Sequence, residues 1–69
     1  MDRTPVISTN VASVGYDPGA ATLEVEFKDG SIYQYFNVPQ VVADQLVAAS
    51  SVGGFLAANV KNRFQYTKL

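Results

Sequence analysis

Lys28-Asp29-Gly30-Ser31-Ile32-Tyr33-Gln34-Tyr35-Phe36 joins a hairpin turn to a Tyr-x-Tyr strand. Asp-Gly is a favoured pair for a two-residue type I′ turn. The strand before it, Thr22 to Lys28, alternates Leu23, Val25 and Phe27 with Glu24, Glu26 and Lys28. That period of two marks a half-buried strand. A two-residue loop opposes Phe27 to Ile32, Glu26 to Tyr33, Val25 to Gln34, Glu24 to Tyr35 and Leu23 to Phe36. One face then carries Leu23, Val25, Phe27, Ile32 and Phe36. The other carries Glu24, Glu26, Lys28, Tyr33 and Tyr35. A slip of one residue exchanges the two sets, so the turn decides where the tyrosines point.

Upstream, Val11 to Tyr16 reads as a first strand with Ala12, Val14 and Tyr16 on one face, closed by the turn residues Asp17-Pro18-Gly19. Residues 1–10 are polar, contain Pro5 and read as a loose arm. Downstream the period becomes helical. Pro39 suits a first helical turn, with Asn37 or Val38 as N-cap. Val42, Leu46 and Ala49 form an apolar stripe. Ser50 and Ser51 end this helix and cap a second, short one carrying Val52, Phe55, Leu56, Asn59 and Val60. Phe64 and Tyr66 then alternate with Arg63, Gln65 and Thr67, as in a closing strand. The order is β-β-β-α-α-β. It predicts a two-layer α+β domain: a three-stranded antiparallel meander, a helical pair on its Leu23/Val25/Phe27 face, and a C-terminal strand that could lie beside the first.

The 69 residues allow one domain, residues 1–69. A chain this short buries only about 60% of its unfolded surface, so its core is marginal. It has no cysteine or histidine, which removes disulfides and zinc sites built on those ligands. A hydrophobic fraction of 48% is that of a folded globule. No apolar run spans a bilayer, and Met1-Asp2-Arg3-Thr4-Pro5 lacks the core of a signal peptide, so a cytoplasmic protein is expected. Charge is divided along the chain. Up to Asp44, six acids stand against Arg3 and Lys28, a net −4; beyond it Lys61, Arg63 and Lys68 give +3. A long nucleic acid finds little basic surface here, whereas a small anion could use the C-terminal corner.

The ordered set of short motifs resembles the KTSC domain family, named for the C-terminus of certain lysyl-tRNA synthetases. The set comprises Gly15-Tyr16-Asp17, Asp29-Gly30, Tyr33-Gln34-Tyr35, Val38-Pro39, Ser50-Ser51-Val52-Gly53 before an aromatic residue, and Phe64-Gln65-Tyr66. The resemblance covers residues 8 to 68. It implies this α+β fold and a short single-domain protein of bacteria or their phages. It also brings in RNA binding, which has been suggested for the family.

Tyr33 and Tyr35 read either as a stacking platform for a planar ligand or as ordinary strand residues packed against Phe64, Tyr66 or another subunit. Glu24 and Glu26 read as a solvated strand face rather than a catalytic pair, because an open strand offers little desolvation. Lys61 and Arg63 suit either a helix C-terminus or a phosphate clamp, to which Ser51 and Gly53 could add donors at a helix start. No nucleophile–base pair, metal cluster or cofactor fingerprint stands out. The leading expectation is a non-enzymatic module that binds and sequesters a nucleotide-like molecule between subunits of a homo-oligomer. Tyr33, Tyr35, Lys61, Arg63, Ser51 and Gly53 are the candidate ligand residues. An RNA-binding appendage, and a protein–protein module using Tyr33, Tyr35, Phe64 and Tyr66, are the alternatives.

Overall fold

The computed structural model describes residues 1–69. Five antiparallel strands and two helices follow in the order β1 (Thr4–Pro5), β2 (Val11–Asp17), β3 (Thr22–Phe27), β4 (Ile32–Tyr35), α1 (Gln40–Ala48), α2 (Val52–Asn59) and β5 (Tyr66–Lys68). The sheet order is β1-β2-β3-β4-β5. Two strand expectations change. Residues 4 and 5 of the arm pair with β2, opposite Val14 and Ser13. The last strand lies beside β4, not beside the first. A direct return from α2 to the near edge of the sheet puts β5 there, and β1 occupies the other edge.

The register of the central hairpin is also corrected. Glu26 opposes Ile32, Val25 opposes Tyr33, Glu24 opposes Gln34 and Leu23 opposes Tyr35. A type I′ turn needs positive φ at both Asp29 and Gly30, but only Gly30 has it, at 92°. Gly30 N–H donates to the Phe27 carbonyl, and Phe27 N–H to that of Ser31. The loop therefore holds three residues, Lys28-Asp29-Gly30: a type I turn closed by a glycine bulge. The extra loop residue moves β4 by one position. Tyr33 and Tyr35 thus join Leu23 and Val25 on the face that the helices cover, leaving Glu24 and Glu26 on the other.

The core consists of Val11, Val14, Leu23, Val25, Tyr35, Val38, Ala43, Leu46, Val52, Leu56 and Val60. In β2 a bulge between Val11 and Ser13 puts Val11, rather than Ala12, on the core side. Pro39 is the N-cap of α1, without a side-chain bond. Asn37 cannot cap it, because its φ of 58° belongs to the turn that brings the chain off the sheet. Val38 is anchored instead: its N–H donates to the Ala21 carbonyl, and its own carbonyl accepts from the Tyr16 hydroxyl. The N-cap of α2 is Ser51, whose Oγ accepts from Gly54 N–H at 3.1 Å. On the outer sheet face Glu24 meets Arg3 at 3.3 Å and accepts from Gln34 Nε2 at 2.9 Å, and Ser13 donates to Glu26 at 2.9 Å. The carboxylates are thus tied into a polar ladder with partners.

If Gly30 sets the loop, Gly30→Ala should destabilise the fold by about 1–2 kcal/mol, the cost of a left-handed non-glycine residue. Urea unfolding measures this; an unchanged midpoint would contradict the three-residue loop.

Candidate functional site

Three strands and the end of α2 converge on one cleft. The corrected register places the Tyr33 and Tyr35 rings side by side, with centroids 6.4 Å apart and planes inclined by 19°. Because β5 pairs with β4, Tyr66 falls opposite Tyr35 and Lys68 opposite Tyr33. The Tyr66 ring lies 5.7 Å from Tyr33 and 5.8 Å from Tyr35. Phe27 meets Tyr33 edge-on at 5.5 Å. These spacings lie within the range favoured by aromatic pairs. The cleft has a volume of about 360 Å³ and is lined by these four rings with Asp29, Ser31, Lys61 and Asn62.

The three tyrosines differ in depth. Tyr35 is only 3% exposed and belongs to the core, Tyr33 is half-buried, and Tyr66 is 60% exposed on the outer strand. A rigid floor therefore grades into an open wall. Burial, with the neighbouring Tyr33 and Tyr66 hydroxyls adding to it, raises the Tyr35 pKa above its ordinary 10.0, so Tyr35 remains a neutral phenol in the physiological range.

Two cations stand over this floor. The chain leaves α2 through a tight wrap in which Lys61 N–H reaches back to the Leu56 carbonyl and Asn62 adopts a φ of 67°. The wrap brings Lys61 Nζ within 5.2 Å of the Phe27 ring centre. From β5, Lys68 Nζ lies 5.9 Å from that of Tyr33. Both distances are cation–π contacts. The chain's ion pair is Arg3–Glu24 on the opposite face; neither lysine forms a direct ion pair with a carboxylate of its own chain, although Lys68 lies near enough to Asp29 to act on its charge.

At the mouth, Asp29 Oδ1 accepts from Ser31 N–H at 2.9 Å and from Ser31 Oγ at 2.6 Å. These two bonds stabilise the carboxylate and lower the Asp29 pKa below its ordinary 3.8, with nearby Lys68 contributing.

Of the expected site residues, Tyr33, Tyr35 and Lys61 line this cleft together, and the anticipated interface residue Tyr66 joins them. Arg63 does not. It borders a shallower neighbouring depression with Phe64, Gln65 and Tyr66. Phe64 packs against the core instead of alternating in a strand. Ser51 uses its oxygen to cap α2. At Gly53, a Cβ would sit 2.5 Å from Asn10 Oδ1, so this glycine lets the helix pack on the loop before β2. Phe27, Asp29, Asn62 and Lys68 are the residues that sequence reasoning missed. For Lys68 a signal existed, because Tyr66 and Lys68 share a strand face once the terminal strand is placed beside the Tyr-x-Tyr strand.

A family model described as the KTSC domain matches residues 7–64. The cleft residues Phe27, Tyr33, Tyr35 and Lys61 lie within the matched stretch, and Tyr66 and Lys68 lie beyond it. A crystal structure of a KTSC domain protein from Yersinia pestis superposes with a TM-score of 0.93 at 36% identity, over 99% of this chain and 96% of that one. A protein from Tsukamurella paurometabola is 42% identical over 94% of this chain and 97% of its own length. A lysine–tRNA ligase from Nostoc is 43% identical over 78% of this chain, which corresponds to 10% of the ligase. The similarity therefore concerns a small part of that enzyme.

The two shifted groups give opposite pH responses. Asp29 has a folded pKa below its unfolded one, so its contribution is present above about pH 3.8 and is lost as pH falls through the folded value. Tyr35 has a raised folded pKa, so its contribution is present below about pH 10 and is lost as pH rises through the folded value. Ser31→Ala should return the Asp29 pKa toward 3.8, as read by NMR titration; an unmoved value would remove the Ser31 hydroxyl as a cause.

Proposed function

The chain belongs to the KTSC domain family, and we propose that it is a non-enzymatic module that binds a small nucleotide-like molecule in the tyrosine cleft. The observation that carries this reading is the convergence of four aromatic rings with Lys61 and Lys68, neither of which is paired to a carboxylate. A planar base stacks on the exposed Tyr66 ring and against the half-buried Tyr33, and an anionic group meets Lys61, with Lys68 adding to the local positive potential. Stacking of this kind contributes ~1–3 kcal/mol per base. The cleft's volume lies at the lower end of the range of small-molecule sites, about 300–1,000 Å³.

The corrected register favours this reading electrostatically. With Tyr33 and Tyr35 beside Glu24 and Glu26, a phosphate would be repelled. On the opposite face from those carboxylates, and beside two lysines, it is attracted. Titration favours binding over turnover. Asp29 is held ionised and Tyr35 protonated, so neither is poised to exchange a proton near neutral pH.

The cleft is open along Tyr66, so we place its closure in a homo-oligomer, with a second copy covering the exposed ring. Tight binding without turnover would make such an assembly a sequestering protein. A second reading, protein–protein association through the same edge, is favoured by one observation: Tyr66 and Leu69 are both more than half exposed there.

Calorimetry with mono- and cyclic nucleotides tests the proposal. Tyr33→Leu, which keeps apolar volume against the core, should weaken binding roughly 5- to 150-fold through lost stacking. Lys61→Ala and Lys68→Ala should each weaken it, with no more loss of stability than an exposed cation–π contact contributes, ~0.5–1 kcal/mol. Absence of binding by any nucleotide at millimolar concentration would overturn the reading. Tight binding of an RNA oligomer with a steep salt dependence would favour the appendage role instead. Light scattering with and without nucleotide reads the assembly, and a monomer in both conditions would remove closure by a second copy.

A further inference from the structure

The cleft contains one negative charge whose geometry is already set. Asp29 sits in the three-residue hairpin loop, and its Oδ1 is committed to Ser31 through two hydrogen bonds of 2.9 Å and 2.6 Å. Its Oδ2 has no partner within the chain. The loop backbone is constrained by the bonds of Gly30 N–H to Phe27 and of Phe27 N–H to Ser31. Asp29 is therefore a preorganised acceptor at the mouth of the aromatic floor, on the same cleft as Lys61. The charges around the floor are two ammonium groups and one carboxylate, and none of the three forms an ion pair within the chain.

We propose that Asp29 sets which way round the ligand lies, accepting a hydrogen bond from a neutral N–H or O–H donor while Lys61 holds the anionic group. The inference rests on the reading of the cleft as a nucleotide site. It narrows the ligand class to a molecule with one planar ring, one anionic group and a neutral donor away from that group. A ligand with anionic groups at both ends would place one of them against Asp29 and be disfavoured. A nucleoside monophosphate meets the description, and its donor is either an exocyclic amine of the base or a ribose hydroxyl.

Asp29→Asn is the decisive variant. The amide keeps an oxygen for the Ser31 bonds and suits the turn, since Asn-Gly is as good a turn pair as Asp-Gly. At the free position it replaces an acceptor with a donor. The probes are AMP, purine riboside 5′-monophosphate, which lacks the amine, and 2′-deoxy-AMP, which lacks the 2′-hydroxyl. In the unmodified protein one of the two analogues should bind about ten-fold or more weakly than AMP, as expected for a lost hydrogen bond to a charged group. Which analogue is weakened identifies the donor. In Asp29→Asn that gap should close to about two-fold or less, with the melting temperature preserved. If all three probes change affinity by one common factor and the gap survives, Asp29 acts only as a distant charge and the inference is overturned. The same follows if neither analogue is weaker than AMP in the unmodified protein. If no mononucleotide binds the unmodified protein, the reading of the cleft fails and the inference with it.

Discussion

The β3–β4 loop is three residues long, with a left-handed backbone at Gly30 and not at Asp29, and that length sets which side chains β4 shares with β3. Side chains alternate along a strand, so a single added loop residue exchanges the two faces of β4. Here the exchange brings Tyr33 and Tyr35 across from Val25 and Leu23, and Gln34 across from Glu24. A buried Tyr35 then completes the core beside Leu23. Gln34, which would have been stranded on an apolar face, reaches Glu24 instead. Core packing, outer polar ladder and tyrosine cleft all descend from that one turn.

The two faces of the sheet divide the chain's electrostatics. Glu24 and Glu26 are held on the outer face by Arg3, Gln34 and Ser13. Lys61 and Lys68 stand on the inner face, over aromatic rings. The sheet between them separates the two sets of charge, so Asp29 is the one acid of the first half of the sequence that lines the cleft. Net charge near zero therefore conceals a local cationic site, which is the kind of asymmetry that selects small anions.

The cleft exists because the helices cover only part of the inner face. They pack over Leu23 and Val25 through Leu46, Val52 and Leu56. Beyond the end of α2 the sheet extends through β4 to β5, and the Tyr33 and Tyr66 rings there are only partly covered. The wrap at Lys61 and Asn62 forms the wall on the helical side. Phe27 links the two regions, because it packs against the core and also meets Tyr33 edge-on.

Local pattern was enough to establish much of this. The alternation in Thr22–Phe27, the helical spacing of Leu46, Leu56 and their neighbours, Ser51 as a cap, and the segregation of strands from helices were all legible in the residues. Each depends on neighbours within a few positions. The hairpin register was not legible, because Asp-Gly suits both a two-residue loop and a three-residue loop with a glycine bulge, and the choice falls to whichever face buries its side chains better. The place of β5 was not legible either, since three residues carry no information about which sheet edge they meet. Those two decisions belong to tertiary packing, and the cleft depends on both: the register aims Tyr33 and Tyr35 inward, and the β4–β5 pairing brings Tyr66 and Lys68 beside them.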